Sequence, residues 1–232
     1  MHTVEPLRHH PQPLALVVFL ENVGHIHGLG LPRWAMGTID FVTEEYAKLI
    51  LRAYGVHRRY SRVIILEDAQ ARAEPLAAAL LDASRNHRVD LLLLVHGQPG
   101  ALVGYRGEHS VGLETFDRLL ASYRADPTAL NLRMVYGLNC YGASLATTWM
   151  NLGATVANGS VGVNWLPEPS LSTFLRSWLR GEPYSRSVEL GYARACRWWR
   201  HVWRPDGRGR PHDFLRSSRP LVVGRRDITI DD

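Results

Sequence analysis

The sequence predicts an α/β fold in three layers, a mostly parallel sheet flanked by helices on both faces. Apolar runs such as LALVVFL (14–20) and LLLLV (91–95) do not alternate with polar residues, so they fit strands covered on both sides, the habit of parallel sheets. Segments of helical spacing, several closed by glycine, separate these runs. At 232 residues, 46% of them apolar and 21% charged, the chain is long enough for one well-filled domain and short for two.

A Pro- and His-containing tail, 1–13, precedes the first strand at 14–20, and GHIHGLGLPRWAMG (24–37) reads as a long loop. Phe41, Tyr46, Leu49 and Ile50 recur near helical spacing in TIDFVTEEYAKLILRAYG (38–55), which stops at Gly55. SRVIILED (61–68) is a second strand and AEPLAAALLDASRNH (73–87) a second helix, followed by the strand that runs into His96. ALVGY (101–105) and HSVGL (109–113) flank Arg-Gly-Glu and predict a hairpin. LETFDRLLASYRA (113–125) is helical, and NLRMVYGLNC (131–140) is a buried strand ending on Cys140.

GASLATTWMNLG (142–153) then predicts a helix and ATVANGSVGVNW (154–165) a strand running into a loop. SLSTFLRSWLRG (170–181) and SRSVELGYARACRWWRHVW (185–203) are closing helices. In the second of these, Tyr192, Cys196, Trp199 and Trp203 share a stripe facing the core, which leaves Trp198 outside. The domain is therefore expected to span 14–203, with 204–232 a basic extension packed on it, in which RPLVVG returns as a short edge strand.

The formal charge is +5, but basic residues occur along the whole length, and Lys48 is the only lysine among 27 of them, as the coding bias of a GC-rich genome would give. Nucleic acid is thus not the expected partner. The two cysteines, Cys140 and Cys196, make no disulfide framework, and LALVVFL lacks the flanks of a signal peptide. No apolar run is long enough to cross a bilayer, so a cytoplasmic protein without a membrane partner is expected. His9, His10, His25 and His27 have no Cys, Asp or Glu at ligand spacing, so neither a metal site nor a cofactor is expected.

His96 and Cys140 each stand at the carboxyl end of a buried strand, where open parallel sheets form their ligand crevices. A thiolate is the nucleophilic form of cysteine, and an imidazole that takes or balances the thiol proton is what such chemistry requires. The backbone N–H groups of Gly97 and Cys140 are candidates to stabilise an oxyanion.

An apolar block ending in His-Gly (LLLLVHG), followed by a second ending in cysteine (MVYGLNCYGAS), resembles the caspase-like, or clan CD, cysteine peptidases, closest to their CHAT and gingipain types. The hairpin after His-Gly and the run NGSVGVNWLPEPSLSTFLRSWLRGEPYSRSVELGYARA fit the same pattern, so the resemblance covers roughly 14–200. It implies the three-layer caspase-like fold and a cysteine endopeptidase. His96 and Cys140 would be its catalytic dyad, and Gly97 and Cys140 its oxyanion hole. The reaction would pass through a thioester acyl-enzyme on a protein or peptide substrate, and a regulatory protein partner is compatible with the family.

Asn139 departs from the Ala, Ser or Gly that usually precedes the family's cysteine, which brings a polar side chain to the cleft. Such enzymes cleave after one charged or polar residue. Glu21 and Asp68 follow the first two strands and Glu168 follows the fifth, so each is a candidate for a basic P1 side chain, and Glu21 is favoured by its place at a strand end. Arg33 and Arg106 would instead receive an acid. Asn164 and Trp165 are candidate walls of the substrate cleft by the same resemblance. Only a helix-length segment separates Cys140 from the next strand, so a single-chain enzyme without internal processing is expected.

Two other readings stand beside this one. A nucleophile elbow at Cys140 finds its small residue in Gly142, but Leu138 fails the matching place and the histidine would have to be His201 or His212. A catalytically silent caspase-like interaction module would keep both dyad residues on a binding scaffold.

Overall fold

The computed structural model describes residues 12–21, 45–107 and 109–232. A six-stranded sheet carries the domain, with β1 (Leu14–Leu20), β2 (Arg62–Leu66), β3 (Arg88–Leu94), β7 (Leu132–Gly137), β8 (Val156–Ser160) and β9 (Pro220–Gly224) in the order β2-β1-β3-β7-β8-β9. All neighbours are parallel except β9, which runs antiparallel to β8. The residues of β1 from Ala15 to Leu20 are at most 4% exposed, as the unbroken apolar run required.

Alternate side chains feed two cores. Leu91 and Leu93 of β3 join Leu76 and Leu80 of α2 (Ala73–Ser84), Phe116 and Leu119 of α3 (Leu113–Ala125) and Trp149 of α4 (Ala146–Asn151). Leu92 and Leu94 face the other way, onto Ile50 and Leu51 of α1 (45–53), Phe174 and Trp178 of α5 (Ser170–Trp178), and Tyr184 and Val188 of α6 (Tyr184–Trp199). This is the three-layer α/β arrangement predicted from the residues.

Several details differ from the sequence reading. In α1 the buried face is Ala47, Ile50 and Leu51, whereas Tyr46 and Leu49 are 43% and 62% exposed; Phe41 lies outside the described residues. β7 ends at Gly137, three residues before Cys140, because the chain turns there. His96 is not the last residue of β3. It opens β4 (His96–Gln98), which pairs with β5 (Ala101–Val103), itself paired with β6 (Ser110–Val111), so the expected hairpin is the outer part of a small three-stranded antiparallel sheet.

The segment after Arg204 holds a short helix, α7 (Asp213–Ser217), before β9 completes the large sheet, and Ile228 and Ile230 enter the core. Its last residues meet a buried ion pair. Arg133 donates to Asp90 through Nε at 2.8 Å and Nη2 at 2.5 Å, and its Nη1 reaches the carbonyls of Thr229, Ile230 and Asp232. Tyr60 donates to the same carboxylate at 2.7 Å and accepts from the Trp178 indole at 2.9 Å. These contacts lie at the end of the sheet away from His96 and Cys140. Among the described residues no helix is long and apolar enough to cross a membrane.

Candidate active site

β3 and β7 are adjacent and in register up to Leu93 and Gly137, so the segments leaving their carboxyl ends bring His96 and Cys140 to one edge of the sheet. Both residues are half-buried, and the Nε2 of His96 is out of contact with solvent. Gly97 makes the approach possible. A Cβ on it would lie 2.2 Å from the Cys140 carbonyl oxygen and 2.9 Å from Asn139 Nδ2, closer than atoms pack.

The cysteine sits in a tight turn. Tyr141 takes the left-handed conformation with φ 54°, and its N–H donates to the Gly162 carbonyl at 2.8 Å. Ser160 Oγ donates to the Asn139 carbonyl at 2.8 Å, which ties the turn to the end of β8. Asn139 itself is 1% exposed and packs against Gly97, Gly137 and Gly142, where a Cβ on any of the three would meet its side chain at 2.8–3.1 Å. The Asn139 side chain is thus packed against the turn, and its Nδ2 donates to the Cys140 carbonyl at 3.4 Å.

Backbone N–H groups act on the sulfur. The Asn164 N–H donates to Cys140 Sγ at 3.3 Å, and the N–H groups of Gly97 and Cys140 itself also act on it, each favouring the thiolate. Burial acts the other way and is the larger effect, so the thiol pKa is raised and the resting residue is neutral at physiological pH. Asn164 is held by its own side chain, whose Nδ2 donates to Leu138 O at 2.6 Å while Oδ1 accepts from Leu166 N–H at 3.0 Å.

Glu21 lies at the end of β1, beside the exit of β3, and is 6% exposed; its N–H donates to Leu94 O at 3.2 Å and its Oε1 accepts from Arg106 N–H at 2.8 Å. Asp68 is exposed one strand further out, past β2. Glu168 caps α5 through Ser172, and burial raises its pKa. Trp165 is half-buried; its ring stacks on Phe214 at 4.1 Å and its backbone N–H donates to Ser218 Oγ at 2.8 Å. The exposed Arg106 side chain lies over the Tyr105 ring, with Arg72 also at the ring, 4.9 Å and 5.2 Å from its centroid. Arg33, His9, His10, His25 and His27 lie outside the described residues. Among the described residues no group of His, Cys, Asp and Glu is arranged to hold a metal ion.

Residues that the sequence reading passed over hold this site together. Ser160, Ser217 and Ser218 bind loop carbonyls or N–H groups around 161–165, and Ser144 joins the Cys140 turn to the β4–β5 hairpin through Gly100 N–H at 2.9 Å. Isolated serines carry no signal of such long-range pairs. Two cavities lie elsewhere among the described residues, one between α6 and β9 and one near Gln12 and Asn131.

The fold and the paired strand ends define a class, the caspase-like fold, and 76 chains of known structure match this chain. Gingipain R (RgpB), an Arg-specific cysteine proteinase, superposes with a TM-score of 0.59 at 14% identity over 94% of this chain and 47% of its own, so this chain spans about half of it. A secreted C11 cysteine protease from Bacteroides thetaiotaomicron gives 0.53 at 10% identity, covering 93% of this chain and 66% of that one. Caspase-1 from Spodoptera frugiperda gives 0.52 at 13% identity, covering 96% and 93%. No family model and no curated protein sequence matches the chain.

Proposed function

We propose that the protein is a cysteine endopeptidase in which Cys140 is the nucleophile and His96 its general base and acid. The observation that carries the reading is the setting of Cys140 Sγ: the Asn164 N–H donates to it at 3.3 Å, the N–H groups of Gly97 and Cys140 favour its thiolate, and Gly97 follows His96 in the chain. A carbonyl carbon bonded to that sulfur would set its oxygen among those donors, which stabilise a developing negative charge. In the reaction Sγ attacks the scissile carbonyl as His96 takes the thiol proton, and the C–N bond then breaks as the imidazolium returns that proton to the leaving amine. Water, deprotonated by His96, hydrolyses the thioester.

A basic P1 side chain is the preferred substrate group, with Glu21 its partner. Glu21 is the buried carboxylate next to the exit of β3, and the Arg-specific gingipain shares the fold. Gly142–Asn151 of the segment between Cys140 and β8 is helical, and Leu152 and Ala154 in its remainder are buried, so the enzyme acts without cleavage there. A peptide library varied at P1 among Arg, Lys, Asp and Asn, offered to the wild type, Cys140→Ala and His96→Ala, tests the reading. Cleavage after Arg or Lys that disappears in both variants supports it. Silence from a folded wild type overturns it in favour of a binding module.

A further inference from the structure

Basic residues occur along the whole chain, but carboxylates do not balance them evenly. Residues 194–219 hold eight arginines against two aspartates, a net charge of +6 in a chain that totals +5, which leaves −1 for all the rest. Both aspartates are engaged locally, Asp206 with Arg210 at 2.9 Å and Asp213 with Arg216 at 3.1 Å. Arg194, Arg197, Arg200, Arg204 and Arg208 are exposed, and among the described residues no carboxylate pairs with them. In their midst Trp198 and Val202 are 64% and 65% exposed. The buried stripe of α6 runs through Tyr184, Val188, Gly191 and Ala195, so this group occupies the solvent side of its last turns and the segment beyond. Like charges gathered without counter-charges repel, and Trp and Arg together are the residue types on which protein interfaces concentrate binding energy.

The same segment reaches the thiol. Downstream of the arginines, α7 grips the loop that crosses Cys140: Gly162 N–H donates to Ser217 O at 2.9 Å, Ser217 Oγ donates to Val163 O at 2.8 Å, Trp165 N–H donates to Ser218 Oγ at 2.8 Å, and Phe214 stacks on Trp165. Gly162 is pinned as well, since a Cβ there would meet Ser217 Cβ at 3.1 Å. Between Val163 and Trp165 stands Asn164, whose N–H lies on the sulfur.

We propose that this face docks an acidic, amphipathic protein segment, its carboxylates meeting the five unpaired arginines and its apolar side chains covering Trp198 and Val202, and that docking is transmitted through α7 to Asn164 and Cys140. Nucleic acid offers the charge and a stacking partner for Trp198, but nothing for Val202. The coupling half of the proposal rests on the reading of Cys140 as the nucleophile; the docking half does not.

The test uses the full chain and a fluorescein-labelled synthetic helix with Glu on one face and Leu on the other, followed by anisotropy. Single-stranded RNA and DNA oligonucleotides serve as alternative ligands. The expected result is salt-sensitive peptide binding that weakens about tenfold or more in Arg197→Glu/Arg204→Glu and in Trp198→Ser. Saturating peptide should also speed iodoacetamide alkylation of Cys140, read by mass spectrometry, by about fivefold or more. No peptide binding, or oligonucleotide binding in its place, overturns the docking surface. Binding with an unchanged rate at Cys140 overturns the coupling. Alkylation reads the thiol directly, so each outcome stands whether or not the chain cleaves peptides.

Discussion

Gly97 and Cys140 approach so closely that a Cβ on the first would lie 2.2 Å from the carbonyl oxygen of the second. Backbone, not a mobile side chain, fills that space, so Gly97→Ala must displace β4 or the cysteine turn. Either shift moves an N–H away from the place where negative charge develops. Gly97→Ala is expected to lower kcat/KM by about 10² or more while costing about 1–3 kcal/mol of stability. A thermal melt beside the kinetics checks this: activity near that of the wild type would mean the N–H of Gly97 plays no part.

The Cys140 thiol offers a second test. Burial raises its pKa against the pull of three backbone N–H groups, so the thiolate forms above the ordinary thiol value of about 8.5. In the resting protein the rate of iodoacetamide alkylation should therefore be low at neutral pH and still rising beyond that value. A substrate that displaces Asn164 N–H from the sulfur removes one of the contacts favouring thiolate but brings the imidazole into play. A pH profile with its inflection well below neutrality would show instead a preformed thiolate–imidazolium pair.

Asn139 separates packing from chemistry. Its side chain fills a socket lined by three glycines, and its Oδ1 is buried with no hydrogen-bond donor among the described residues. Asn139→Ala empties the socket at an expected cost of about 1–3 kcal/mol. Asn139→Asp should cost more at neutral pH, because a carboxylate there is charged, buried and without a donor. Burial raises such a carboxyl pKa, so its penalty grows as pH rises and shrinks on acidification. Urea titrations at about pH 5 and pH 8 should show the two variants converging at the lower pH; an Asp variant as stable as the wild type at both would refute the buried placement.

How much of this was legible in the residues depends on the range of the interactions. The apolar runs of β1, β3 and β7 announce themselves because both faces of a central parallel strand are covered, and the turns after them carry His96 and Cys140 to the crevice edge. β4 stayed hidden because His-Gly-Gln has little strand propensity and is held by pairing with Ala101–Val103. In α1 the spacing of Tyr46 and Leu49 matched a helix but marked the wrong face, since periodicity gives a stripe without saying which neighbour covers it. The grip of Ser217 and Ser218 on the 163–165 loop spans more than fifty residues of sequence, and no local pattern encodes it.

The buried pair at the far end of the sheet predicts stability without activity. Asp90 is wholly buried and takes two bonds from Arg133 and one from Tyr60, so removing the guanidinium strands a charge in the core. Arg133→Leu is expected to cost about 3–5 kcal/mol, and it also frees the carbonyls of Thr229, Ile230 and Asp232 from their shared donor. Replacing both partners, Asp90→Leu with Arg133→Leu, should recover part of that loss, because the costly element is the unpaired carboxylate and not the absence of the pair. Tyr60→Phe removes one hydrogen bond to Asp90 and leaves the Trp178 indole without an acceptor, at about 1–3 kcal/mol. Denaturant unfolding orders the three variants, and kcat of each folded protein should match the wild type, since none of these side chains reaches the sheet edge where Cys140 stands. A double variant no more stable than Arg133→Leu alone would show that the carbonyl contacts, not the buried carboxylate, dominate the cost.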